Sequence, residues 1–357
     1  MAKRRGGSVG RITCLGEALI DFLPIEKGGR MVGFRMHPGG SHLNVAVAVA
    51  RLGQPVALAG KLSTDLFGRY LRAHLEREGV HVGWLAETDA PSTLAFVATE
   101  SGDPSFAFYG DLAADTLVRR EDLPEALFAE TAILHVGSIS LLRGTTPEAV
   151  LAACQRLAGR ALLSFDPNLR PALVADEPTY RALLRRLSGL VDIIKVSALD
   201  LAWLAPGRDL EATARELLAQ GPALVVVTRG ADGVLALRRN RRAPPGQTDG
   251  AVSTYRLPAH VVKVVDTVGA GDAFTAGLLA WLRERGVTSL AMLDALSSHE
   301  LTSALSFAAA AAALNCAHAG ANPPGSRAVR AFLSATDSAA SITRSEAQPK
   351  RTAKERP

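Results

Sequence analysis

Short apolar runs alternate along the chain with longer segments in which apolar residues recur every three or four positions. RITCLG, PVALAG, AILHVG, ALLSFD, VDIIKVS and ALVVVT read as buried strands. HLNVAVAVARLG, DLFGRYLRAHLEREG, TPEAVLAACQRLAG, YRALLRRLSG and LEATARELLAQG read as amphipathic helices, each closing at or beside a glycine. Strands without polar alternation, separated by helices, predict a mostly parallel sheet covered on both faces. The expected body is therefore a doubly wound, three-layer α/β/α fold.

Two segments break the rhythm. Residues from about 21–38 and 92–112 carry short β-like pieces joined by turns, such as STLAFVATE and SFAFYG around SGDP. Such pieces do not fit a parallel sheet, so they predict a small β-sheet lid. A further hairpin, VLALRR to YRLPA, carries Arg238, Arg239, Arg241 and Arg242 around an APPGQTDG turn. A solvated hairpin tip is the simpler reading of those arginines than a nucleotide contact. No fixed-period repeat and no interdomain linker appear. The expected organisation is a disordered basic N-terminus at 1–10, one domain at 11–333 including the lid, and a disordered tail at 334–357.

Charge narrows the range of functions. The formal net charge is +5, but Lys3, Arg4 and Arg5 supply three of these charges. The tail from Ser334 holds five basic and three acidic residues, which accounts for the other two. The body is thus neutral, which argues against a nucleic-acid-tracking surface. Cys14, Cys154 and Cys316 are far apart and show no metal-ligand spacing, so reduced and mostly buried thiols are expected. No apolar segment follows the basic N-terminus as in a signal peptide, and the Ala-rich run near residues 301–317 is too weak to span a bilayer. A cytoplasmic protein is expected.

Candidate chemistry concentrates in four stretches. In DTVGAGDAF, Gly269, Ala270 and Gly271 let the chain turn tightly before a helix expected from about Ala273. Backbone N–H groups there converge on one point and bind anions or a transferring phosphoryl group. Asp272 stands at the lip, placed to take a proton from a hydroxyl. The same local features also fit an acid that merely caps a helix. Neither standard nucleotide motif is present: GKLST at Lys61 is not a Walker loop, and Phe274 breaks a GxGxxG match. In PGGSHLNVAVAVARLG, Gly39, Gly40 and Asn44 offer hydrogen-bonding groups for sugar hydroxyls, with Ser41 as the expected N-cap. In FDPNLRP, Asp166, Asn168 and Arg170 follow a strand end, where open α/β sheets bind ligands. VVVTRGADG places Thr228, Gly230 and Gly233 at another strand end.

Together these stretches strongly resemble the ribokinase-like carbohydrate kinases, often called PfkB-type, across nearly the whole body. The resemblance implies transfer of the ATP γ-phosphate to a sugar hydroxyl. By position, Asp272 is the base, and the amides of Gly269, Ala270, Gly271 and Asp272 line the anion hole. Asp21, Gly39, Gly40 and Asn44 match sugar contacts; Thr228, Gly230 and Gly233 match the nucleotide loop, with Ser197 where relatives often have Asn. Asp266, Val268 and Gly320 match a monovalent-cation site, implying K⁺. Mg²⁺ is expected with ATP, although no carboxylate cluster in the sequence marks its place. A homodimer through the lid is also implied.

Within the family, GEALIDF, DPNLRP and VDIIKVSALDLAWLAPG are most similar to bacterial fructokinases. The main rival is 2-keto-3-deoxygluconate kinase, followed by ribose or nucleoside kinases and a catalytically idle sugar-binding regulator. Gly110 stands where many ketodeoxygluconate kinases carry Arg, which favours a neutral sugar, while Arg170 remains available to an acidic one. His42 replaces a frequent Pro of fructokinases, and Ala309 replaces an Asn that ribokinases tend to place near adenine.

Overall fold

The computed structural model describes residues 10–28, 30–100, 103–240 and 252–346. The strands in chain order are β1 (Arg11–Leu15), β2 (Leu19–Lys27), β3 (Arg30–Gly39), β4 (Val56–Ser63), β5 (His81–Thr88), β6 (Leu94–Glu100) and β7 (Asp103–Tyr109). They continue with β8 (Thr131–Gly137), β9 (Leu162–Asp166), β10 (Ile193–Ser197), β11 (Leu224–Thr228), β12 (Val234–Arg239) and β13 (Val252–Leu257). Nine of them form one sheet in the order β13-β12-β11-β10-β9-β8-β1-β4-β5. From β11 to β5 every pairing is parallel; β12 and β13 add an antiparallel edge.

Both faces of this sheet are buried, and residue alternation divides them. Ile12 and Cys14 of β1, with Leu224 and Val226 of β11, face the helices Ser41–Arg51, Ala270–Glu284 and Ser298–Cys316. Leu15, Val225 and Val227 face the opposite core, with residues of Thr146–Leu157, Glu177–Ser188 and Leu210–Ala219. This is the expected α/β/α sandwich. Strand β5 joins the parallel edge from His81–Thr88, a segment the sequence pattern does not single out.

The lid is a separate four-stranded sheet, β3-β2-β6-β7. Two antiparallel hairpins, β2–β3 and β6–β7, are joined by a parallel β2–β6 pair. The arginine hairpin is β12–β13, where Arg238 donates to the Leu296 carbonyl and Arg239 to that of Leu218. Arg241, Arg242, the basic residues at positions 3–5 and the last residues 347–357 lie outside the described residues. A helix runs from Ser326 to Glu346, so helix occupies the first part of the segment expected as a disordered tail. Strands β8, β9, β10 and β11 end together at Gly137, Asp166, Ser197 and Thr228, and the site forms along this edge.

Candidate active site

The Ala270–Glu284 helix starts three residues earlier than expected. Gly269 is its N-cap in the left-handed conformation (φ 72°, ψ 4°), so helical geometry begins inside the Gly-Ala-Gly run. The Ala270 N–H donates to Thr267 O at 3.2 Å, and the Ala273 N–H to Gly269 O at 2.8 Å. Between them, the N–H groups of Gly271 and Asp272 belong to the first turn and have no intrahelical acceptor. That is the geometry of an anion hole at a positive helix end.

Asp272 is buried, and both its oxygens are held from the Ser41–Arg51 helix. Ser41 Oγ donates to Oδ1 at 2.6 Å, and Asn44 Nδ2 donates to Oδ2 at 2.9 Å. The N-cap of that helix is Gly40, without a side-chain cap bond, rather than the expected Ser41. Ser41's hydroxyl therefore serves the acid and not its own helix.

Asp21 lies on the lid stem beside this pair. Burial, and then the charge of Asp272, push its carboxyl up to about 7, while Arg170 pulls the other way. A Cβ on Gly39 would stand 2.0 Å from Asp21 Oδ2, so only glycine lets the stem pass here. Asn168 adopts φ 40°, and Arg170 folds back onto its own loop, donating to the carbonyls of Asn168 and Leu169 and to Asn168 Oδ1.

Two charged residues that the sequence pattern does not single out complete the floor. Lys195, inside β10, pairs with Asp166 at 2.8 Å with both groups buried. Burial works against the ammonium, but Asp166, Asp200 and Asp272 together hold its pKa above the ordinary value. Burial lifts Asp166 to about 6 against the pull of Lys195. Asp166, one of the expected substrate-binding residues, is thus the buried counter-ion of Lys195 in the floor. A Cβ on Gly271 would come within 2.9 Å of Lys195 Nζ, so a positive charge sits directly against the anion hole. The second residue, Glu17, is fully buried; its oxygens accept from the Ser41 N–H at 3.0 Å and from His42 Nδ1 at 2.8 Å, and also from Ser140 Oγ. Despite its burial, His42's charge and the hydrogen bonds from His42 and Ser140 hold Glu17 down at about 2. His42 thus points into the interior beside His135.

On the other side of the anion hole lies a cavity of about 460 Å³, lined by Thr228, Gly230, Gly233, Ala270, Gly271 and Ala309 with apolar walls including Val261 and Phe274. Its size and lining suit a nucleotide. Ser197 is not among its lining residues; it is the N-cap of Ala198–Leu204 in a reciprocal pair with Asp200.

Among the described residues, no group of three or more His, Cys, Asp or Glu is arranged to hold a metal ion. Of the residues expected for a monovalent cation, Gly320 donates its N–H to Asp266 at 2.8 Å, which keeps its carbonyl available as a ligand. The Val268 carbonyl accepts from Asn315 Nδ2 at 2.8 Å and keeps a second lone pair.

An amide-lined helix start with a buried acid at its lip, a nucleotide-sized cavity on one side and polar groups on the other, defines a phosphotransferase. Residues 9–327 match the family described as pfkB family carbohydrate kinase. The chain belongs to that family. It is 37% identical over 272 residues to a fructokinase of Rhizobium leguminosarum bv. trifolii, covering 76% of this chain and 79% of the relative. The structure superposes on fructokinase with bound ATP from Xylella fastidiosa with a TM-score of 0.82 at 32% identity, over 92% of this chain and 99% of that one. Fructokinase from Vibrio cholerae O395 with fructose, ADP and calcium ion gives a TM-score of 0.76 at 30% identity, over 92% and 100%.

Proposed function

We propose that this carbohydrate kinase transfers the γ-phosphate of ATP to a hydroxyl of fructose, with Asp272 as the base. The observation that carries the reading is the position of Asp272, whose carboxylate lies between the nucleotide cavity and the polar residues Asp21 and Asn44. The relatives named fructokinase, and the neighbours bound to ATP or to fructose and ADP, support it.

Asp21, Gly39, Gly40 and Asn44 hold the sugar, and Asp272 accepts the proton as the hydroxyl oxygen attacks the γ-phosphate in line. The N–H groups of Gly271 and Asp272, with the Lys195 ammonium behind them, stabilise the negative charge that develops. When bound with ATP, Mg²⁺ neutralises phosphate charge. Closure of the lid strands β2, β3, β6 and β7 over the sugar excludes water as a competing acceptor. A neutral sugar suits the site better than an acidic one: Arg170 is engaged with its own loop, and Gly110 offers no side chain. The catalytic unit we propose is the single domain 11–333, acting in the cytoplasm and pairing through the lid.

The test is ADP release from ATP against fructose, 2-keto-3-deoxygluconate, ribose, tagatose and adenosine, with wild type and Asp272→Asn. Fructose is expected to give the highest kcat/KM, and Asp272→Asn to lower kcat by about 10²- to 10⁴-fold with the fold intact. Highest kcat/KM on the keto acid would overturn the substrate; near-wild-type turnover of Asp272→Asn would overturn the base.

A further inference from the structure

Ser41 reads in sequence as a helix cap, yet its hydroxyl contributes nothing to its own helix. The bond from Oγ to Asp272 Oδ1, at 2.6 Å, is buried on both sides, and Ser41 is only 7% exposed. Its backbone is fixed from below, because the Ser41 N–H donates to Glu17 Oε1 at 3.0 Å. Glu17 is itself locked by His42 and Ser140. The approach is tight, since a Cβ on Gly16 would stand 2.2 Å from His42 Nδ1. The other carboxylate oxygen differs. Oδ2 accepts from Asn44, whose side chain is half-buried and lines an open cavity together with Asp21.

We propose that Ser41 is a positioning residue for the base: it holds Oδ1 of Asp272 and leaves Oδ2 as the oxygen that takes the sugar proton. The assignment rests on the reading of Asp272 as the base. A hydroxyl that donates to a carboxylate stops it rotating, and one consequence follows when the donor is removed. Fewer carboxylates point their free lone pair at the acceptor, which lowers kcat without loosening the sugar.

The experiment compares wild type, Ser41→Ala, Ser41→Thr and Asp272→Asn as full-length proteins with fructose and ATP, reading kcat, KM and the thermal midpoint. Ser41→Ala is expected to lose about 10- to 100-fold in kcat, as for a lost hydrogen bond to a charged group. KM for fructose is expected to stay within about twofold. Ser41→Thr, which keeps the hydroxyl, recovers most of the turnover. A wild-type kcat in Ser41→Ala, with Asp272→Asn inactive, would overturn the role of Ser41 and leave the base standing. A loss of kcat with no recovery in threonine, or with KM for fructose raised alongside it, would do the same, as a merely structural effect. Turnover by Asp272→Asn would instead remove the base reading itself, and this proposal with it.

Discussion

Asp21 sits where a folded chain pushes a carboxyl furthest from its ordinary behaviour. Burial, reinforced by Asp272, raises it from 3.8 to about 7. A raised acid stabilises the fold only while protonated, so its contribution is complete below the unfolded value and is lost as pH rises through about 7. Glu17 works in the opposite sense: held near 2, it stabilises above the unfolded value and loses that contribution as pH falls towards 2. Asn at position 21 mimics the neutral acid. Asp21→Asn is therefore expected to raise the thermal midpoint by a few degrees at pH 8 and by much less at pH 5. Equal shifts at both pH values, read by differential scanning fluorimetry, would show that Asp21 ionises freely in the fold. The residues legible in sequence were those whose chemistry is local. Gly269 to Asp272 form one continuous turn, so their pattern carries the anion hole. Lys195 and Glu17 were not legible, because their meaning lies in partners 29 and 123 residues away. Each is a single charged residue in or beside an apolar strand.

The helix that carries Asp272 is placed by packing, not by its own sequence signals. It is apolar almost all round, with residues from Asp272 to Arg283 buried, and lies against both Ser41–Arg51 and Ser298–Cys316. The Ala270–Glu284 and Ser298–Cys316 backbones come close at Gly277, where a Cβ would meet the Ala308 Cα at 2.8 Å. Alanine at 308 and glycine at 277 let the two backbones come together, which sets the depth of the anion hole relative to Ser41 and Asn44. Gly277→Val is expected to cost about 1–3 kcal/mol in urea unfolding, as for an overfilled core. It should also lower kcat by more than it changes KM for ATP, because Asp272 moves with its helix. Unchanged turnover at reduced stability would mean that the base is held by Ser41 and Asn44 alone. At this scale most of the body was legible, since strands buried on both faces and glycine-closed helices leave strong periodic signals. Strand β5 was not, because an edge strand with polar positions such as His81 and Glu87 has no such run. The early helix start was hidden for another reason. A Gly-Ala-Gly run reads as a turn, yet only Gly269 leaves helical geometry.

For the molecule as a whole, the two faces of the lid have different tasks. Asp21 and His37 are cross-strand partners on the face turned towards the site, and both line the cavity beside Asn44. Their neighbours point the other way. Phe22 stacks on Phe96 at 4.7 Å, Phe34 meets both edge-on, and Tyr109 closes on Phe96 at 5.5 Å. Met36, the cross-strand partner of Phe22, shares the face of Phe34 by strand alternation. Phe67 of the Leu66–Arg77 helix covers Phe22 at one end of this face, while Phe34 is 39% and Tyr109 63% exposed. An open apolar face of this kind on a thin sheet is better suited to a second copy of the lid than to water. The same contact would support the stem that carries Asp21. Wild type is therefore expected to sediment as a dimer, and Phe34→Glu with Met36→Glu as a monomer, in analytical ultracentrifugation. Turnover tests the coupling: the monomer should raise KM for fructose about tenfold or less while KM for ATP stays level, since the nucleotide cavity is built only from the body. A monomeric wild type at all concentrations, or a double variant that remains dimeric, would remove the lid as the contact. A monomer with unchanged fructose KM would keep the contact but separate it from the sugar site.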